Sequence, residues 1–292
     1  MQKIYLMTTS SLKTSDGQLN NPDKLIWEAI KEDEKGAHFY PDEVNAMFVD
    51  GNVKLFVKGK EIKPGRLIIR STRGMEERTY EVACCFKDMG GVVVDSPESL
   101  VYPVGKLLPF VHRQRTIKLP KTIFFTIKDD NSKYEMIKDN LKYPFIIKPQ
   151  KGFGGAGVAL IDSEEDLIQY LESSNEKHLM AQEYIKDIVE EFRVIVIGGK
   201  ALGVAKKLSN NIAKNATLGG SFEKVEDKEV IDFAERAAHF EKADILGTDI
   251  ARTPDGALWL IENNRNPNFT AFREATGTMV EENILQFVLS KE

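Results

Sequence analysis

The sequence predicts an α/β protein built from three α+β lobes, and three features carry that expectation. Short apolar runs alternate with amphipathic stretches over the first 95 residues, a glycine-rich run lies between two strand-like segments in the middle, and two long hairpins follow. The lobes are expected at 1–95 (a small α/β lobe), 96–185 and 186–292. A chain of 292 residues buries roughly three quarters of its unfolded surface, so it needs no disulfide or metal staple. Its 42% apolar and 29% charged residues exclude a disordered tail and a membrane bundle.

The formal charge of −5 argues against nucleic acid as a partner, because phosphate-binding proteins usually carry the opposite sign. No stretch approaches the roughly 20 apolar residues that span a bilayer, and the start, Met1 to Met7, has no long apolar core of a signal peptide. The expected location is cytoplasmic, with no membrane partner; association into homo-oligomers stays open. The two cysteines, Cys84 and Cys85, are adjacent on a helix-like stretch, which disfavours a disulfide and suits small core residues in a reducing compartment.

In chain order, Lys3-Ile-Tyr-Leu-Met7 reads as a short buried strand, and Asn21-Pro22-Asp23 opens a helix with Leu25, Ile26, Ala29 and Ile30 on one face. Ala46 to Val49 and Val53 to Val57 flank Asp50-Gly51, a hairpin turn signature. Arg66 to Arg70 is a strand, Tyr80 to Met89 a helix, and Gly91 to Asp95 a further strand. After a proline-rich break, Lys106 begins a helical segment. Lys121 to Thr126, Pro144 to Lys148 and Val158 to Ile161 read as strands, and Ser163-Glu-Glu-Asp166 caps a helix to about Glu172. A helix is also expected from Asp227 to Phe240.

Gly152-Phe-Gly-Gly-Ala-Gly157 runs from strand to strand. A dinucleotide fingerprint would lead into a helix, and a P-loop would end in Gly-Lys-Ser/Thr. This run instead makes a flap whose backbone N–H groups suit a triphosphate, with Lys148 at the end of the preceding strand. Farther on, Ile245 to Ala251 and Ala257 to Asn264 flank Thr253-Pro-Asp-Gly256. A two-residue turn at Asp255-Gly256 places Asp249 opposite Glu262, with Asn264 on the same face. Two carboxylates and an amide among apolar neighbours suit a hard divalent cation, most naturally Mg²⁺ shared with phosphates. The same arithmetic about Gly198-Gly199 pairs Glu191 with Lys206 and puts Arg193 beside them.

As a set, these residues resemble the ATP-grasp superfamily, in its ribosomal-modification-type (RimK-like) branch of carboxylate–amine ligases. The resemblance rests on Pro144 to Lys148 with the glycine flap, Ala181-Gln-Glu-Tyr-Ile185, Glu191-Phe-Arg193, Gly247-Thr-Asp-Ile250, Ile261-Glu-Asn-Asn-Arg-Asn-Pro267 and Phe272 to Gly277, and covers roughly 80–290. It implies an ATP-grasp fold, two α+β lobes gripping ATP, preceded by the small α/β lobe. It implies that Lys106 and Lys148 contact phosphates under the flap of Gly152, Gly154 and Gly155. Gln182, Glu183, Tyr184 and Ile185 would form the adenine hinge, and Asp187, Glu190 or Glu191 would take the ribose. Asp249, Glu262 and Asn264 would hold two Mg²⁺ ions, with Mn²⁺ as a substitute. Arg193, Lys206 and Asn215 would act on the phosphoryl group or substrate.

The chain departs from the branch at Lys206-Lys207, in place of arginines, and at Ile212-Ala-Lys-Asn215, which lacks the usual arginine. Asn268 stands where the branch often has glycine, suited to a left-handed turn. Arg70, Arg73 and Arg78 are expected to help recognise an acidic substrate.

The implied activity joins the carboxylate of an amino acid, peptide or protein to an amine or hydroxyl, through an acyl phosphate. One alternative is a graspetide-type macrocyclase forming ester or amide links within a precursor peptide; another is a silent nucleotide-binding module. His38, His112, His178 and His239 make no metal or triad spacing.

Overall fold

The structure, a computed structural model, describes residues 3–12, 21–32, 36–72, 74–95, 97, 111, 116–127, 132–150, 156–208 and 221–292. Short apolar runs form a parallel sheet in the order β2-β1-β6-β7, from β1 (Ile4–Met7), β2 (Gly36–Phe39), β6 (Arg66–Ile69) and β7 (Val92–Val94). Helix α1 (Pro22–Glu32) follows β1, and the Asn21 side chain accepts the backbone N–H groups of Asp23 and Lys24 at its start. Helix α2 (Glu76–Asp88) packs Val82, Ala83 and Phe86 into the lobe's core with Tyr5, Phe39 and Leu55. The hairpin of β3 (Val44–Val49) and β4 (Asn52–Val57) turns at Asp50-Gly51 as expected, both at positive φ (49° and 73°), and β5 (Lys60–Ile62) extends it.

The middle of the chain forms an antiparallel sheet, β10-β9-β11-β8: β8 (Thr122–Thr126), β9 (Phe145–Pro149), β10 (Ala159–Ile161) and β11 (His178–Glu183). Helices α3 (Ser132–Asn140) and α4 (Glu164–Ser173) cover it, with Ile137, Leu141, Leu167 and Leu171 meeting Phe145, Ile147 and Leu179. Ser163 caps α4 by accepting the Asp166 N–H at 3.2 Å.

A five-stranded antiparallel sheet follows in the order β14-β13-β12-β15-β16: β12 (Glu190–Ile197), β13 (Lys200–Leu208), β14 (Ser221–Val225), β15 (Ile245–Arg252) and β16 (Leu258–Asn264). Helix α5 (Lys228–His239) covers one face, packing Val230, Phe233 and Ala237 on Phe192, Val194, Val196, Ile250 and Leu260. Part of the other face is covered by α6 (Thr270–Thr276), α7 (Val280–Ser290) and the first lobe, where Ile195, Ile197 and Ile245 share one core with Ile4, Leu6, Ile26 and Ile68. Strands β2, β5, β11 and β14 and helices α3, α6 and α7 are not among the elements expected from the sequence. No helix among the described residues is long and apolar enough to cross a membrane.

Polar contacts fasten the first lobe to the last sheet. Arg70, with its side chain only 1% exposed, donates to Asp23 at 2.9 Å and to the Pro267 carbonyl at 3.1 Å. Thr8 donates to the other Asp23 oxygen at 2.7 Å. At the end of β7, Asp95 accepts the backbone N–H groups of Asp244 and Ile245.

Burial, reinforced by the charge of Asp244, pushes the Asp95 carboxyl from 3.8 up to about 6. The folded state therefore binds this proton more tightly than the unfolded chain does. The stability it contributes is complete below about pH 4 and is lost as pH rises through about 6. Asp95→Asn keeps an acceptor for both N–H groups and removes the titration. It is expected to stabilise the protein at pH 7.5 by up to about 3 kcal/mol and to flatten stability between pH 4.5 and 6.5. Urea unfolding at three pH values checks this; parallel profiles for both proteins would reject it.

Candidate functional site

Two β-bulges decide which side chains meet on the open face of the five-stranded sheet. Arg252 pairs with Leu258 and Ile250 with Leu260, yet Asp249 pairs with Glu262. The hairpin thus closes by a three-residue loop, with Thr253 donating to the Ala257 carbonyl at 3.1 Å, and not by the expected two-residue turn. The extra residue, Ile261, restores the expected pairing beyond it. Leu258 and Leu260 face α5; strict alternation would have put Glu262 there too. The bulge turns Glu262 and Asn264 to the opposite face, toward Asp249.

The second bulge overturns the expected pairing of Glu191 with Lys206. Ile197 pairs with Lys200, but Val194 pairs with Val204 and Phe192 with Lys206, so β13 holds one extra residue. Gly203 lies there at φ 145°, a conformation that side-chain-bearing residues rarely adopt. The shift brings Lys207 to Glu191, at 2.7 Å. Lys206 is carried to the α5 face, where it meets Glu190 at 2.9 Å, and Arg252 holds Glu190 from the other side at 2.7 Å.

Arg193 pairs with Asp249 across the ladder and grips its carboxylate through two bonds of 2.8 Å. Both side chains remain about a fifth exposed, at 23% and 22%. Burial raises the Asp249 carboxyl above its usual range despite Arg193, and Glu262 adds to the rise. Desolvation works against the Arg193 cation, yet Asp249 and Glu262 hold its pKa above normal.

No group of three His, Cys, Asp or Glu that could hold a metal ion occurs among the described residues. Asp249, Glu262 and Asn264 supply two carboxylates and an amide oxygen on one face. This donor set fits Mg²⁺, which typically takes one or two carboxylates and completes its shell with phosphate and water. Each Asp249 oxygen keeps a lone pair beyond its bond to Arg193.

Across the central sheet, Lys148 donates to Gln182 at 2.9 Å, and Gln182 donates to Thr122 at 3.0 Å. Lys148 and Gln182 lie on the face turned away from α3 and α4. Glu183 pairs with Lys121 through its backbone and carboxylate. Tyr184 to Val189 run on without regular structure, and Asp187 is exposed at φ 56°. The strands flanking the glycine run are antiparallel neighbours, Ala159 facing Ile147, as the flap requires. Gly157 closes the run at φ 71°; a Cβ there would lie 2.8 Å from Pro149.

Lys106, Gly152, Gly154, Gly155, Asn215 and Arg73 lie outside the described residues. Arg70 is spent on Asp23 and Pro267, and Arg78 on Glu81 and the Val44 carbonyl. Arg70 is therefore buried, contrary to the expected substrate contact, while Arg78 stays 39% exposed. Asn268 does not take the left-handed turn either; its side chain accepts the Thr270 N–H and hydroxyl at the start of α6. Lys207 was missed as a site residue, although an isolated glycine in a strand, Gly203, is the sequence signal of a bulge.

Comparison with known proteins matches residues 107–288 to the RimK-like ATP-grasp domain, and the chain belongs to that family. It is 30% identical over 163 residues to a coenzyme gamma-F420-2:alpha-L-glutamate ligase of Methanocaldococcus jannaschii, over 54% of this chain and 56% of that protein. The match thus spans little more than half of that relative. Beta-citrylglutamate synthase B of Danio rerio is 23% identical over 99% of this chain and 74% of its own. Among solved structures, the ATP-grasp ligase PsnB complexed with minimal precursor superposes with a TM-score of 0.72 at 18% identity, covering 98% of this chain and 99% of that one. This last likeness shows the ATP-grasp fold.

Replacing Arg193 with methionine removes the cation that grips Asp249 beside Glu262. Loss of one partner from such a pair, discounted for its partial exposure, should destabilise the protein by roughly 2–3 kcal/mol in EDTA. Added Mg²⁺ should recover more stability in Arg193→Met than in the wild type. Thermal unfolding with and without the metal measures this, and equal Mg²⁺ shifts in both proteins would exclude a cation site at these carboxylates.

Proposed function

We propose that this RimK-like ATP-grasp protein is an ATP- and Mg²⁺-dependent ligase that joins a carboxylate of an amino acid or peptide to an amine. The observation carrying the proposal is the Asp249–Glu262 pair with Asn264 on one face and Arg193 clamped beside it. Two relatives carry glutamate in their names, which supports an acidic amino acid or peptide among the substrates.

A carboxylate is a poor acyl donor because its leaving group would be oxide. In the proposed reaction its oxygen attacks the γ-phosphorus of ATP and ADP departs. The amine then attacks the carbonyl carbon of the acyl phosphate, phosphate leaves, and the amine loses a proton. Phosphoryl transfer depends on positioning and charge neutralisation, so lysines, an arginine and carboxylates suffice. Bound Mg²⁺ would neutralise phosphate charge, held by Asp249, Glu262 and Asn264.

Lys148 would leave Gln182 for phosphate oxygens beneath the flap, with Lys106 as a second contact. Gln182 to Ile185 would line the adenine. Asp187, exposed and without an ion-pair partner among the described residues, suits the ribose better than Glu190, which already holds two cations, or Glu191, held by Lys207. Arg193 and Lys207 face the phosphoryl group on the sheet; Lys206 lies behind it. Asn215 is retained as a substrate contact.

Calorimetric titration should show Mg²⁺-dependent ATP binding to the wild type that is lost in Asp249→Ala with Glu262→Ala. No binding to the wild type would reject the ligase. Product mass then separates joining two molecules from cyclisation, which loses water within one peptide.

A further inference from the structure

Two of the three cation donors sit where the sheet holds its chain least. β16 is the outermost strand of the five, with β15 as its partner in the sheet, and Glu262 and Asn264 lie beyond its bulge. A bulge locally disrupts the ladder, so side chains past it on an edge strand need a further hold to keep one orientation. The hold comes from behind. Asn263 and Arg265, on either side of Asn264, both turn to Glu241, just past the end of α5. The Asn263 amide donates to the Glu241 carboxylate at 3.3 Å and reaches the Ala237 carbonyl at 3.5 Å. Arg265 donates to the Glu241 carbonyl and lies 3.6 Å from its carboxylate.

Stability alone does not account for these residues. The Glu241 side chain is 3% exposed, and it follows a helix C-terminus, the end whose dipole disfavours a carboxylate. The Asn263 side-chain oxygen is buried without a partner among the described residues, which lowers stability. A leucine would suit the apolar α5 face of the sheet better. What the arrangement does provide is direction. One buried carboxylate meets the two residues that flank Asn264, and on its far side Arg265 feels the charge of Asp95, at the end of β7. The backbone between Asn263 and Arg265 is thereby fixed with the Asn264 side chain on the opposite face.

We infer that Glu241 is a positioning residue: through Asn263 and Arg265 it fixes the end of β16 so that the Glu262 carboxylate and the Asn264 amide oxygen stay turned to the cation on the open face. It acts through the strand and lies on the far side of the sheet from metal and substrate. The inference rests on the cation site of the proposed ligase and adds the group that orients it.

The test uses the full chain in two variants. Asn263→Leu cuts the link to Glu241 and keeps the volume. Glu241→Met with Arg265→Met removes both buried charges together, a replacement that is often neutral for folding. Calorimetry in EDTA and in Mg²⁺ gives the ATP affinity of each protein. In both variants the tightening that Mg²⁺ brings should fall about tenfold, the worth of one or two hydrogen bonds, while the affinity in EDTA stays within about twofold. Glu241→Gln keeps an oxygen for Asn263 and should retain most of the tightening. A residue that served folding alone would move both affinities or neither. In the ligand-free protein, the heteronuclear NOE of the Asn264 side-chain amide, assigned by its loss in Asn264→Asp, should drop in both variants. An unchanged Mg²⁺ effect or an unchanged NOE would overturn the inference. A drop in the NOE with no MgATP binding by the wild type would discard the ligase and keep the positioning role; MgATP binding with the NOE unchanged would do the reverse.

Discussion

The site depends on a single inserted residue in β16. An uninterrupted strand has period two, so the positions that bury Leu258 and Leu260 beneath α5 would also bury Glu262 and Asn264 there. Two carboxylate-bearing strands would then show their acids to opposite sides, with Glu262 against a hydrophobic helix. One bulge at Ile261 resolves both problems, because it exchanges the faces for every residue beyond it. The bulge at Gly203 does the equivalent for β13, moving Lys207 to the site and Lys206 away from it. The sheet thus uses regular alternation to build its core and two irregularities to build its chemistry.

That sheet would not present a shaped site without the first lobe. The shared core of Ile4, Leu6 and Ile26 with Ile195, Ile245 and Phe272 fixes the two sheets together. Arg70 then reaches across it to the carbonyl of Pro267, in the segment just beyond β16. Pro267 in turn packs so closely on Gly247 that a Cβ there would lie 2.6 Å away. A buried ion pair in the first lobe thereby positions the backbone leaving the carboxylate strand. Such a pair adds little stability by itself, but its geometry is specific, and the segment it holds carries Asn266 and Asn268.

Much of the site was legible in the sequence where spacing is local. The antiparallel pairing of the strands that flank the glycine run, the position of Lys148 on β9, and Asp249 opposite Glu262 all follow from alternation and hairpin closure. The Asp249 pairing was reached through an incorrect two-residue turn, and the bulge at Ile261 cancelled that error. No such cancellation occurred about Gly198-Gly199, so Lys206 was preferred to Lys207. Contacts between residues distant in sequence were not legible: Asp23 and Arg70 are separated by 47 positions, and Arg70 was expected to meet an acidic substrate. Helices α6 and α7 were passed over although Val280, Ile284 and Val288 recur at helical spacing.

The charge pattern of the open face argues for joint binding of nucleotide and metal. Among the described residues, Glu191, Asp249 and Glu262 share that face with Arg193, Lys207 and Lys224, the last opposite Ala205 on the edge strand. A bare polyphosphate would meet cations already held by carboxylates, and a bare metal would compete with Arg193 for Asp249. Arriving together, each supplies what the other lacks. In the proposed reaction a metal would take up carboxylate charge as the phosphates give Arg193 a second anion. There, the arginine that holds Asp249 would share its donors with the phosphoryl group. Its planar guanidinium can keep one bond to the carboxylate while offering another N–H forward, which a lysine at the same position could do only as a point charge.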